Sequence, residues 1–177
     1  MAIYLGADNL FDNIIKQIGT IDENTQVDIA TYSMYLDVSK GKDWAQMYDR
    51  TSARRFIDAV RDSKKLRLIV GIPYFMKEFA HIPEFVKAYN VGIERIGMTF
   101  KKLNLNGKVN ASSHLKYYRI GDRVWIGGIN LSGSTWVDVA TEITDEKDKK
   151  DLAEIFNLHW GNSTTNIDQY LQGVNRW

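Results

Sequence analysis

The sequence predicts an α/β layered domain, and three observations carry that prediction. Leu66 to Ile72 is a continuous apolar run bounded by Lys64-Lys65 and Pro73, as expected of a strand buried on both faces. Runs rich in aromatic and β-branched residues flank Gly121-Asp122 and describe a β-hairpin with a two-residue turn. Segments with helical spacing alternate with the strand-like ones, the pattern of helices packed on a sheet.

In chain order, Ala2 to Leu5 reads as a short strand. Asp8 then caps a helix in which Leu10, Ile14, Ile15 and Ile18 share a face, and Gly19 ends it. Gln26 to Met34 is a strand with Val27, Ile29 and Thr31 toward one side, closing on Tyr32-Ser-Met-Tyr35. Residues 36–51 are polar, contain Lys40, Lys42 and Trp44, lack a period and read as a surface insertion. Ser52 caps a helix through Asp62 that turns Phe56, Ile57 and Val60 inward and Arg54, Arg55 and Arg61 toward solvent. Phe75 to Asn90 is mostly helical, with Pro83 restarting or kinking it, and Ile93 to Met98 reads as another strand. Thr99 to Ser113 is too polar for core and leads as a loop into His114. Beyond the hairpin, Ser132 to Trp136 reads as the start of a short helix and Val137 to Thr144 as a strand. Glu146 to Trp160 is an amphipathic helix burying Leu152, Ile155, Phe156 and Trp160, and 161–177 a tail with a short helix at Ile167 to Leu171. No repeat, low-complexity tract or linker interrupts the chain, so residues 1–177 are expected to form one domain.

Composition narrows the function classes. A chain of 177 residues buries about 70% of the surface its unfolded form exposes, and it has no cysteine for disulfides, thiolate metal sites or thiol catalysis. Lysine and arginine number 23 against 22 acidic residues, so a nucleic-acid site has to be a local patch rather than a global field. No stretch approaches the ~18 to 20 apolar residues of a membrane helix, and the start lacks the basic flank and apolar run of a signal peptide; a cytoplasmic protein without membrane attachment is expected.

The chemistry concentrates around the hairpin, whose strands are predicted at 114–120 and 123–128. Alternation along a strand projects His114 and Lys116 from one face, with α-carbons roughly 6 to 7 Å apart. Counting back from the turn pairs Lys116 with Gly127 and Leu115 with Gly128, so the lysine's cross-strand neighbour has no side chain and an anion can approach the backbone. Asn130 adds an amide donor and Ser132 a hydroxyl. One nucleophile or base, one cation and several neutral donors make a phosphate site. His81 and His159 read as surface or structural residues, and no His-x-x-x-His or Asp-x-Asp pattern is present, so neither metal nor cofactor is expected.

His114-Leu-Lys116 followed by Gly127-Gly128-Ile-Asn130 resembles the H-x-K-(x)4-D-(x)6-G-[GS]-x-N signature of the phospholipase D superfamily, and within it the small single-motif bacterial nucleases. The likeness runs from the first helix to Leu158-His-Trp160. It departs at the aspartate: five residues separate Lys116 from Asp122 and four separate Asp122 from Gly127, a change at the turn, where length varies most cheaply. Asp122 is therefore assigned no catalytic role. The resemblance sharpens the fold to a mixed β-sheet sandwiched between helical layers.

It also implies a reaction: metal-independent hydrolysis of a phosphodiester through a covalent phosphohistidine. His114 is the implied nucleophile, Lys116 and Asn130 the groups that hold the non-bridging oxygens, and Glu142, twelve residues beyond Asn130, the carboxylate that orients the histidine. With a single motif copy, the second histidine comes from another chain, so a homodimer with one composite site is expected. Nucleic acid is the first substrate class, DNA ahead of RNA, cleaved without sequence specificity or by structure. Lys101, Lys102 and Lys108, with Arg119 or Arg123, are candidates for a basic rim. Tyr117, Tyr118 and Trp125 are candidates for stacking, although strand aromatics ordinarily belong to the core. The alternatives are a phospholipid or small-molecule phosphodiesterase, and a catalytically degenerate nucleic-acid-binding dimer.

Overall fold

The computed structural model describes residues 2–39, 48–73, 75–132 and 138–171, with side chains described except at 38, 39 and 48–50. Its centre is a seven-stranded mixed sheet in the order β1 (Ile3–Leu5), β11 (Val139–Ile143), β9 (Arg123–Gly127), β8 (Tyr117–Ile120), β2 (Val27–Thr31), β6 (Leu66–Gly71), β7 (Gly107–Asn110). Strands β2, β6 and β7 run parallel, and from β8 outward every pairing is antiparallel. The carboxyl ends of the parallel strands thus lie at the same end of the sheet as the entry to β8 and the exit from β9.

Alternation along β2 sorts the layers. Val27 and Ile29 point to one face, where α1 (Gly6–Ile18), α2 (Ser52–Val60) and α3 (Pro83–Leu103) deliver Leu10, Phe11, Phe56, Ile57, Ile93 and Phe100 to the larger core. Ala30 points to the other, where α4 (Glu146–Gly161) packs Phe156 against Tyr117, Ile69 and Val124. On that second face Asp28 is wholly buried, answered by Arg67 at 2.7 Å, by Gln26 at 2.7 Å and by Arg119 at 3.8 Å. The fold class read from the sequence is the one found, and the Gly121-Asp122 turn is as expected, with Gly121 at φ +57°, a conformation that glycine adopts without strain.

Several elements differ from expectation. The predicted strand at Ile93 to Met98 is the middle of α3, because Ile93, Phe100 and Leu103 recur at helical spacing and bury on one side of it. Pro83 occupies its first turn, where a missing N–H costs nothing. The polar stretch predicted as a loop supplies the last turn of α3 and then β7, the edge strand of the sheet, whose outer side Val109 bridges to Thr164 at 2.8 and 3.0 Å. Thr51, not Ser52, caps α2 by accepting the Arg54 N–H at 3.1 Å, and Asp8 lies inside the first turn of α1 rather than at its cap. Arg54 turns inward to Asp37 at 3.0 Å and Asp58 at 3.2 Å instead of outward. Within 36–51, β4 (Asp37–Ser39) and β5 (Tyr48–Arg50) pair as an antiparallel ribbon; residues 40–47, with Lys40, Lys42 and Trp44, lie outside the described residues, as does the helix start predicted after Ser132. Leu131–Ser132 is β10, paired in parallel with β3 (Met34–Tyr35). The tail forms a 3-10 turn at Ile167–Tyr170, close to the predicted short helix.

Phe11 is fully buried, stacked on Phe56 at 5.1 Å and edge-on to Tyr118 at 5.2 Å. Phe11→Ala is expected to lower unfolding free energy by about 3–5 kcal/mol in urea titration; a loss below about 1 kcal/mol contradicts this packing.

Candidate active site

His114 sits on the approach to β8, and the turn that carries it is built by Asn110 at the carboxyl end of β7. The Asn110 side-chain oxygen accepts the Ser112 N–H at 3.0 Å and hydroxyl at 2.8 Å, and its amide donates to Ser163 at 3.1 Å. Gly71, at the end of β6, makes room for this turn: a β-carbon there collides with the Ser113 carbonyl and with the Tyr32 ring at 2.8 Å. Tyr32 follows β2 directly. Its ring stacks on the imidazole of His114, centroids 3.9 Å apart and 23° between planes.

Lys116 reaches the same tyrosine, with its ammonium 5.4 Å from the ring centroid and donating to the His114 carbonyl at 2.9 Å. Among the described residues that hydrogen bond uses one of three ammonium protons, which leaves two for an anion. Residues 113–116 lie ahead of β8 rather than in it, so strand alternation does not place His114 and Lys116; the two side chains nonetheless converge, on Tyr32. Partial burial pushes the Lys116 pKa down, and the negative charge of Asp138 partly opposes that shift.

Asn130 is clamped to the same place. Its carbonyl oxygen accepts the backbone N–H groups of Tyr32 and Ser33, each at 3.1 Å, while Thr31 donates to the Ser33 carbonyl at 2.7 Å and accepts the Leu131 N–H at 2.8 Å. Tyr118, wholly buried and with its phenol pKa raised by burial, donates to the Ile129 carbonyl at 2.7 Å and fixes the chain just before Asn130. With its oxygen committed to these donors, the amide NH2 of Asn130 is the end left to bind an acceptor.

The glycines act by absence of bulk. The Gly127 N–H donates to the Lys116 carbonyl at 3.4 Å, confirming the predicted pairing, and the Gly128 N–H donates to the Val139 carbonyl at 2.7 Å. Both donors are therefore taken up by the sheet rather than offered to a substrate. A β-carbon on Gly127 collides with the Val139 carbonyl, and one on Gly128 stands 3.3 Å from the Asp138 carboxylate. Ser132 is nearly buried in β10.

Three expected site residues lie elsewhere. Glu142 pairs in register with Trp125 and binds Arg123 at 2.7 Å, so it braces the hairpin rather than His114. The reason is strand length: at ~3.3 Å per residue, Glu142 stands about 13 Å along β11 from Asp138, the carboxylate at the Gly128 end. Lys108 points to the α4 face, donating to the Trp160 carbonyl at 3.1 Å with its ammonium 4.4 Å from the indole centroid. Lys101 is exposed in the last turn of α3, whereas Lys102 lines a groove that begins at Tyr32. Tyr117, Tyr118 and Trp125 are fully buried core residues, not stacking platforms. His81 is exposed before α3, and His159 is half-buried in α4. Sequence reading missed Tyr32, Asp138, Asn110 and Gly71, which carry no motif of their own; the aromatic Tyr32 at a strand end was the one available signal. Among the described residues no group of three or more histidine, aspartate or glutamate side chains is disposed to hold a metal ion.

No protein-family model matches the chain, and no curated protein matches it by sequence. Solved structures do. NucT from Helicobacter pylori is similar at 15% identity and TM-score 0.54, over 92% of this chain and 96% of that one. Nuc from Salmonella typhimurium, a phospholipase D family member, is similar at 7% identity and TM-score 0.51, over 92% and 96%. TrmBL2, an archaeal chromatin protein, gives 13% identity and TM-score 0.48, and the chain spans about half its length, 52%. The first two likenesses give the chain the phospholipase D-like fold.

Because Lys116 is useful to an anion only while protonated, a lowered pKa limits any activity on the alkaline side. Asp138→Asn removes the charge that opposes the shift, so the alkaline limb of a kcat/KM profile is expected to move to lower pH. An unmoved limb contradicts the action of the Asp138 charge on Lys116.

Proposed function

We propose that the protein is a phosphodiesterase cleaving nucleic acid, DNA ahead of RNA, through a phosphohistidine at a site shared by two copies of the chain. The observation that carries this reading is the convergence of His114, Lys116 and the Asn130 clamp on Tyr32, at the carboxyl ends of the parallel strands, where open α/β sheets bind ligands. The phospholipase D-like fold supports it.

In the proposed reaction an imidazole nitrogen of His114 attacks phosphorus, the N–P bond forms and the bond to the leaving oxygen breaks. Lys116 and the Asn130 amide hold the non-bridging oxygens as charge builds on the five-coordinate phosphorus. The Tyr32 stack limits how the imidazole can rotate, so the ring is oriented before substrate arrives. The departing alkoxide takes a proton from a second imidazole, which then accepts one from the water that cleaves the phosphohistidine. Asp138 replaces Glu142 as the carboxylate beside the motif, acting through Lys116.

The second imidazole is His114 of a two-fold related copy. Ile3, Leu5 and Val139 are large apolar side chains left 59%, 61% and 46% exposed, and Leu5 pairs with Val139, the residue after Asp138. A self-complementary contact over this sheet edge covers them and brings two sites together. No helix among the described residues is long and apolar enough to cross a membrane. The groove beside Tyr32, whose lining includes Ile93, Ile96 and Leu103, favours one second reading, a phospholipid phosphodiesterase.

His114→Ala is expected to lower cleavage of plasmid and of a chromogenic phosphodiester by on the order of a thousandfold or more, and the wild type to keep its activity in EDTA. Retained cleavage in the variant, or loss on chelation reversed by magnesium, overturns the mechanism. Leu5→Asp is expected to shift sedimentation from dimer to monomer and to remove activity with it. An active monomer contradicts the shared site.

A further inference from the structure

A groove of about 770 Å³ opens at Tyr32 and runs along α3. One wall is the segment from Tyr32 to Asp37, and the other is a single helix face carrying Ala88, Gly92, Ile96 and Thr99. At 1.5 Å rise per residue, the lining from Ala88 to Leu103 covers roughly 22 Å, so the groove is a track rather than a pit. Its volume falls in the range of small-ligand sites, about 300–1,000 Å³. Gly92 helps to make it: a β-carbon there meets nothing within 4 Å.

Three features bear on its occupant. Tyr32 lines the groove and stacks on His114, so whatever lies in the groove is one ring's width from the candidate nucleophile. Tyr35, 59% exposed, and Tyr89 give it aromatic surface on both walls. Arg95 stands on the α3 wall with Lys102 near its end, and on the opposite wall the charge of Asp37 is neutralised by Arg54 at 3.0 Å. Aromatic faces along a cationic track are what unstacked bases and their phosphates require, whereas a duplex keeps its bases inside and offers a groove only its backbone. An acyl chain would use the apolar lining but neither the cations nor the exposed tyrosine.

We infer that the α3 groove binds single-stranded nucleic acid, seating the nucleotides next to the scissile phosphate, and that the protein therefore selects unpaired over duplex strands. This rests on the proposed nuclease reading, yet it is tested without turnover. His114→Ala protein is titrated with a fluorescein-labelled oligothymidylate, alone and annealed to its complement, and anisotropy is read. The single strand is expected to bind at least about tenfold tighter than the duplex. Gly92→Leu added to His114→Ala is expected to weaken single-strand binding by about tenfold or more while the melting temperature stays equal or rises, since leucine favours the helix over glycine. Equal binding with and without Gly92→Leu overturns the inference, as does a duplex preference or no strand binding at all. An effect of Gly92→Leu confined to phosphatidylcholine vesicles assigns the groove to lipid and overturns it as well. If the groove dependence holds while His114→Ala still cleaves the chromogenic ester, the hydrolytic mechanism falls and the groove stands.

Discussion

The site depends on one contact, the stack of Tyr32 on His114. A tyrosine at the end of a parallel strand has no fixed direction of its own. Here two constraints give it one: the Asn130 oxygen holds the Tyr32 and Ser33 backbone, and the missing side chain at Gly71 lets the ring and the Ser113 carbonyl close over the end of β6. Every group placed in the chemistry touches this arrangement. Lys116 lies over the same ring, and Asn130 is both a clamp and, through its free NH2 end, a candidate ligand for phosphate oxygens. The partly buried backbone N–H groups of Tyr32 and Ser33 each lose a partner without Asn130, so the asparagine serves stability and chemistry together.

The rest of the sheet explains why charged residues near the motif in sequence are scattered in space. Period-two alternation sends Lys108 to the α4 face, where it meets Trp160, and Arg67 to Asp28. Strand direction does the remainder: Glu142 and Arg123 end up at the turn end of the hairpin, bound to each other. What collects at the carboxyl ends of β2, β6 and β7 is Tyr32, Gly71 and Asn110, three residues far apart in sequence. Burial of Lys116 is the cost of this convergence, lowering its pKa, and Asp138 offsets part of it.

Local signals in the sequence were reliable where periodicity and turn chemistry agreed. The hairpin, its pairing of Lys116 with Gly127, the buried β6 and the layered fold all followed from alternation, a Gly-Asp turn and a continuous apolar run. Ile93 to Met98 failed because a short apolar stretch fits a strand and a helix equally, and only the continuation to Phe100 and Leu103 decides. Glu142 failed for another reason. Counting residues from Asn130 says nothing about where β11 begins, and a strand starting after Asp138 leaves that aspartate, not the glutamate, as the carboxylate whose charge acts on the lysine. Tyr32 offered one signal, an aromatic at a strand end, and Asn110 none, since their roles exist only once β2, β6 and β7 lie side by side.

The account stands or falls on whether His114 becomes covalently bonded to phosphorus. Rapid-quench turnover of a single strand carrying an internal radiolabelled phosphate, followed by peptide mapping, reads this directly. Label held on the His114 peptide by an acid-labile, base-stable bond, rising and decaying at the rate of turnover, is the result predicted. Turnover with no labelled protein, or with label on another residue, contradicts it.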